Sequence, residues 1–192
     1  MTTAVPISFV DAHHHFQDIE SHYYPWLCDP GRPPQLEGDL TGIRRNYLPD
    51  DYRADLSLVN LVKSVHVQNG WNPADPIGET RWLQGLADKG GFPHAIVAFA
   101  DLAAPDIEAT LRAHCEHPNV RGIRQILNWH DDPTLRFAAR ADLMSDPQWR
   151  RGFSLLAPLG LSFDLQIYWP QMAAACRLAQ ATSPSALRRG DC

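Results

Sequence analysis

The chain has 192 residues, of which 44% are hydrophobic and 20% are charged, with a formal net charge of −5. This composition predicts one folded domain, or a piece of a larger one, and excludes a disordered chain. The acidic balance argues against nucleic acid as the main partner. No apolar run approaches the ~20 residues of a membrane-spanning helix. The N-terminal residues lack the basic start and apolar core of a secretory signal, so none is expected.

Five short apolar or aromatic runs predict β-strands over residues 8–13, 63–68, 94–101, 120–127 and 161–168. Segments with helical spacing lie at 77–89, 105–117, 149–159 and 170–181, and a weaker helix or turn begins at Pro49. Several strands are apolar throughout, which is typical of a parallel sheet buried on both faces. The alternation of strands and helices predicts an α/β fold. A doubly wound sheet is less favoured, because no glycine-rich turn follows the first strand.

The clearest candidate site is the run of three histidines at the end of the first predicted strand. Side chains alternate along a strand, so Asp11, His13 and His15 are expected on one face and Ala12 and His14 on the other. Two imidazoles on one face can bind one divalent ion or flank one substrate group. The alternative is a chance cluster of histidines in an exposed loop.

The spacing of the cysteines indicates the cellular compartment that we expect for the protein. Cys28, Cys115, Cys176 and Cys192 show no CxxC spacing. Such scattered cysteines are typical of reduced thiols, and we therefore expect a cytoplasmic protein.

The stretch VDAHHHFQDIESHYYPWL resembles the opening of the amidohydrolase-related family, in particular its lactonase branch. Further segments match in the same order, namely VKSVHVQNG, ETRWLQGLA, AIVAFADLAAPDIEATL, VRGIRQIL and GLSFDLQIYWPQM. The resemblance covers residues 8–178. It implies a TIM barrel in which the two outer histidines of the HxH motif lie at the end of the first strand.

The resemblance also implies hydrolysis of a small cyclic ester, a lactone, by an activated water. His13 and His15 would bind a divalent metal ion, with zinc expected, or would contact the substrate and the water directly, because some relatives work without metal. Arg124 would hold a substrate carboxylate or carbonyl through its planar fork, and Gln68 and Trp26 would line the substrate site. A structural ion pair is the alternative for Arg124, and ordinary packing is the alternative for Gln68 and Trp26.

Other polar residues are expected to serve the fold. Glu79 and Arg81 are expected to cap or pair on the helix that begins near residue 77, and Asp101 to cap the turn after the third strand. The remaining histidines match no motif and are expected in the core or at the surface: His66, His94, His114, His117 and His130.

The resemblance implies an incomplete barrel, because a TIM barrel has eight βα units in ~250 residues and five strands are predicted. Residues 1–179 follow the family pattern and residues 180–192 do not, so we expect a truncated or frame-shifted reading of a longer gene. The histidine and aspartate that the family carries on later strands have no counterpart, which leaves three functions open: a lactonase-like hydrolase, an inactive remnant, or a decarboxylase of the same superfamily. Unpaired strand edges favour a homo-oligomer.

Overall fold

A computed structural model describes residues 7–30 and 38–181. Five strands form one parallel sheet in the spatial order β1-β2-β3-β4-β5. The strands are β1 (Ser8–His14), β2 (Asn60–Val67), β3 (Ala95–Ala98), β4 (Val120–Ile123) and β5 (Ser162–Phe163). Each strand lies beside its predecessor, as in a β/α barrel. The predicted α/β fold, an incomplete TIM barrel of five βα units, is confirmed.

Six helices connect or follow the strands in the described part of the chain. The helices α1 (Pro25–Cys28) and α2 (Pro49–Asp55) lie in the long first crossover. The later helices are α3 (Gly78–Gly90), α4 (Ile107–Cys115), α5 (Pro147–Ser154) and α6 (Met172–Ala181). Three of these later helices begin and end within a few residues of the predicted ones. The exception is α5, which begins and ends earlier than predicted.

Three strands end well before the sequence predicts. The third, fourth and fifth strands were predicted to reach residues 101, 127 and 168, but they end at Ala98, Ile123 and Phe163. Beyond these ends, an isolated parallel bridge joins Ile126 to Gln166. The apolar residues beyond these points belong to loops, and several of them, including Leu127 and Ile167, pack on the core. A run of apolar residues indicates that the segment is buried, but it does not distinguish a strand from a buried loop.

The hydrophobic core lies between the helices and the outer face of the sheet. Ile96 and Ile123 are fully buried there. The rings of Trp149 and Phe153 on α5 pack against Phe163 of β5, with centroids 5.8 and 5.3 Å apart. Because successive strand side chains point to opposite faces, a residue that follows one of these core residues faces the inside of the half-barrel.

Three further observations concern the sequence predictions. Cys28, Cys115 and Cys176 are free, whereas Cys192 lies outside the described residues. The predicted tail 180–192 also lies outside them, apart from Gln180 and Ala181, which still belong to α6. Among the residues that the structure describes, no helix is long and apolar enough to cross a membrane.

Candidate functional site

A β-bulge near the end of β1 sets the direction of the histidines. Asp11 pairs with Ser64 and His14 pairs with His66. The chain therefore advances three residues on β1 but only two on β2, and the extra residue on β1 forms the bulge. Asp11 and His14 consequently both face Tyr52 of α2, whose hydroxyl donates to Asp11 Oδ2 at 2.7 Å and whose ring stacks on His14 at 4.6 Å. The expectation that Asp11 shares a face with His13 and His15 is wrong, because the bulge breaks the alternation.

His13 and His15 converge, as predicted. Their Nε2 atoms are 3.2 Å apart, and His15 Nδ1 lies 2.7 Å from the carbonyl oxygen of Val67. A carbonyl only accepts, so His15 Nδ1 carries the hydrogen and His15 Nε2 keeps its lone pair. Without a cation, His13 Nε2–H is the donor of the contact between the two rings.

The chemistry of this pair fits two of the ligands of a zinc ion. Neighbouring nitrogen ligands of a tetrahedral zinc, with bonds of about 2.0–2.1 Å, lie roughly 3.3 Å apart, close to the 3.2 Å between the two Nε2 atoms. Within residues 7–30 and 38–181, no group of three or more His, Cys, Asp or Glu side chains is placed to hold a metal. This part of the chain therefore offers two ligands of a metal site.

Both imidazoles are neutral at neutral pH. Burial lowers the pKa of His15 to about 3, assisted by His66 and Arg124. Partial desolvation, with Arg124 as the next cause, also lowers the pKa of His13. A neutral imidazole is the form that binds a metal or accepts a proton.

Arg124 extends from the end of β4 into the half-barrel. It follows the buried Ile123 and is only 9% exposed. Its Nη2 donates to the carbonyl oxygen of Gln68 at 2.6 Å, while its buried Nε has no hydrogen-bond partner. Burial lowers the pKa of Arg124, and the Asp164 and Glu79 carboxylates oppose that shift. A buried guanidinium with an unused N–H is suited to an anion or a carbonyl oxygen.

Asp164 is the site residue that sequence reasoning missed. It follows Phe163 at the end of β5, and its backbone N–H donates to the carbonyl of Ile123 at 2.9 Å. Desolvation raises the pKa of the half-buried Asp164, an effect opposed by the charges of Arg124 and His13. The three side chains therefore share one interior space. Asp164 is the first polar residue after β5, a signal hidden by predicting that strand to continue to residue 168.

A second polar cluster lies behind the histidines. Glu79 Oε1 accepts the backbone N–H of Asn69 at 2.8 Å and lies 3.4 Å from His66 Nε2. His66 Nδ1 accepts the N–H of Phe16 at 3.0 Å, so its Nε2 carries the hydrogen that points at Glu79. Burial raises the pKa of Glu79 to about 7 and lowers that of His66 to about 3. The expectation that Glu79 caps or pairs on its helix is wrong, because Glu79 is buried and its partners, Asn69 and His66, lie outside α3.

Several minor expectations are confirmed. Arg81 pairs with Asp75 at 3.4 Å on the surface. Asp101 caps its turn by accepting the N–H of Ala103 at 3.0 Å. His66 and His114 are fully buried core histidines.

Gln68 and Trp26 lie beside the site at the carboxyl end of β2. Gln68 is buried; its side-chain oxygen accepts the N–H of Gly70 at 2.9 Å and its carbonyl holds Arg124. Trp26 Nε1 donates to the carbonyl of Asn69 at 2.6 Å. Gly70 has a φ of 69°, and a Cβ there would lie 2.9 Å from Trp26 Cδ1, so glycine is required by both backbone and space. These contacts join Gln68 to Arg124, and Trp26 to the turn at Asn69 and Gly70.

Comparison with known proteins identifies the family. A family model described as amidohydrolase matches residues 10–183. The chain belongs to the amidohydrolase family. The chain is 47% identical over 174 residues to the uncharacterised protein y4mH of Sinorhizobium fredii, over 91% of the chain and 58% of that relative. It is 32% identical over 143 residues to an L-fucono-1,5-lactonase of Burkholderia ambifaria, over 71% of the chain and 45% of the relative.

A solved structure shows the same fold. An amidohydrolase from Burkholderia multivorans, crystallised with bound zinc, matches with a TM-score of 0.65 at 24% identity, over 90% of this chain and 53% of the other. The chain thus spans about half the length of the relatives it matches. The predicted family is confirmed.

Proposed function

We propose that this amidohydrolase hydrolyses a small cyclic ester, a lactone, at the inner rim of the half-barrel. The observation that carries the proposal is the convergence of two neutral imidazoles, His13 and His15, beside the buried and incompletely bonded guanidinium of Arg124. The similarity to an L-fucono-1,5-lactonase supports a lactone as the substrate.

The roles of the residues follow from their contacts. His13 and His15 would hold a divalent ion, zinc by the fit of their spacing, and such an ion supplies an activated water and a polarised carbonyl. Val67 fixes the His15 tautomer, so that its Nε2 lone pair faces the site. Without a metal ion, His15 Nε2 would take the proton of the attacking water once its hydrogen bond with His13 Nε2–H opens. Arg124 Nε–H donates to the substrate carbonyl or carboxylate, and Gln68 and Trp26 line the substrate.

The test is a lactone-hydrolysis screen on the purified chain, with metal analysis of the same sample. His13→Ala and Arg124→Ala should each lower kcat/KM by about 100-fold or more, since each removes a group that acts on the reacting atoms. Arg112→Ala is the matched control, because this exposed arginine pairs with Glu108 on α4, away from the site. A chain that hydrolyses no lactone, a product formed with loss of CO₂, or an unaffected Arg124→Ala would overturn the proposal.

We also propose that the chain forms homo-oligomers through its sheet edges. Within the described residues, β1 and β5 each pair on one side only. Val10 on β1 is 56% exposed and Trp169, just beyond β5, is 84% exposed, and such apolar edges favour association. Light scattering should report a dimer or larger species; a monomer at micromolar concentration would contradict this. Cytoplasmic location is a further proposal, supported by the free thiols of Cys28, Cys115 and Cys176.

A further inference from the structure

We propose that Asp164 is a specificity-determining residue of this site, whose carboxylate accepts a hydrogen bond from a hydroxyl group of a neutral, hydroxylated ligand. The proposal rests on the proposed function only for the reaction that follows binding. Recognition of the ligand itself is argued from the position and bonding of Asp164.

The position of Asp164 is fixed by its neighbours. Phe163 is fully buried against Trp149 on the outer side of the sheet, so the next side chain faces inward. The backbone N–H of Asp164 donates to the carbonyl of Ile123 at 2.9 Å, which continues the pairing of β4 and β5 by one residue. The carboxylate therefore projects from the end of a sheet strand, where a ligand-binding group is held most precisely.

The carboxylate of Asp164 is unused within the described residues. No hydrogen bond to its oxygens and no ion pair with Arg124 occurs there, although the charge of Arg124 acts on it. A half-buried carboxylate that has lost part of its hydration is costly unless a donor satisfies it. Desolvation raises the pKa of this group, which is the signature of that cost. A ligand hydroxyl supplies the missing donor.

The charges of the site select the kind of ligand. Arg124 and Asp164 carry opposite charges on neighbouring strands, so the interior is polar without an excess of positive charge. Arg124 can donate to a ring carbonyl while Asp164 accepts from a ring hydroxyl. A ligand with carboxylate substituents would be repelled by Asp164, since like charges in a partly buried site are unfavourable. The arrangement thus favours a polyhydroxylated neutral ring over a dicarboxylate.

Calorimetry with two ring lactams tests the proposal on the full chain. D-Glucono-1,5-lactam carries hydroxyl groups, whereas δ-valerolactam has the same ring carbonyl without them. The wild-type chain should bind the hydroxylated lactam at least about tenfold more tightly, because a hydrogen bond to a charged group is worth that much or more. Asp164→Asn and Asp164→Ser should each lose about tenfold for this probe and bind δ-valerolactam unchanged. Asp131→Asn, on an exposed loop, is the control.

The outcomes separate this proposal from the reaction. Equal preference in the wild type and both Asp164 variants, or no binding of either lactam by the wild type, would overturn the role of Asp164. If Asp164-dependent binding occurs but no lactone is hydrolysed, the proposed function fails and the recognition stands. If the chain hydrolyses a lactone but its preference for the hydroxylated lactam does not depend on Asp164, only the proposed role of Asp164 in ligand recognition is overturned.

Discussion

Replacement of Glu79 by glutamine should change how the stability of the protein depends on pH. Glu79 is 4% exposed and accepts the N–H of Asn69, a contact that a glutamine amide oxygen can keep. Its pKa is raised from 4.5 to about 7, with burial as the largest cause. Between these two values the unfolded chain has lost the proton and the folded chain still holds it. Wild-type stability contributed by this group therefore falls as pH rises from about 4.5 to about 7.

The size of the effect follows from the shift. About 2.5 pKa units at about 1.4 kcal/mol each give roughly 3.5 kcal/mol between acid and neutral pH. Glutamine does not ionise, so Glu79→Gln should gain on the wild type across this window by about that amount and then level off. Buried neutral histidines such as His66 destabilise both proteins in acid, and this contribution cancels in the difference.

Urea unfolding followed by tryptophan fluorescence, at several pH values from 5 to 8, measures that difference. Glu108→Gln is the matched control, because it removes the same charge from an exposed pair with Arg112 on α4. The control should show a difference from wild type that is nearly flat with pH. A flat difference for Glu79→Gln as well, or one that favours the wild type as pH rises, would refute the argument that Glu79 is destabilised by its burial.

Two smaller predictions use the same unfolding assay. A Cβ at Gly152 would overlap the carbonyl oxygen of Leu102, so Gly152→Ala should lower the free energy of unfolding by about 1–3 kcal/mol or more. Gly85→Ala on α3 is the control, because the added Cβ meets nothing, and it should raise the free energy of unfolding by about 0.5–1 kcal/mol. Equal effects of the two substitutions would contradict the close packing at Gly152. Tyr52→Phe removes the hydroxyl that donates to Asp11 and should cost about 1–2 kcal/mol, and an unchanged midpoint would show that this bond contributes nothing.

Much of the architecture could be predicted from the sequence. The strand–helix alternation gave the five βα units, because parallel strands and their helices differ in period and in apolar content. The HxH motif placed His13 and His15 on one face, and their Nε2 atoms are indeed 3.2 Å apart. Arg124 was found through the family resemblance, on the predicted fourth strand, and the structure places it directly after β4.

The parts that failed depend on contacts between distant residues. The direction of Asp11 is set by a bulge in the pairing of β1 with β2, which a local pattern of alternation does not contain. The burial of Glu79 depends on its bonds to Asn69 and His66 across the crossover from β2 to α3.

The sequence by itself therefore determined which elements form and in what order, since periodicity and capping act within a few residues. The tertiary structure alone decided that β5 ends at Phe163 and that the inward-facing Asp164 lies near Arg124 and His13. Strand register and the ends of short strands are fixed by hydrogen bonds to a neighbouring strand, and those partners lie tens of residues away along the chain.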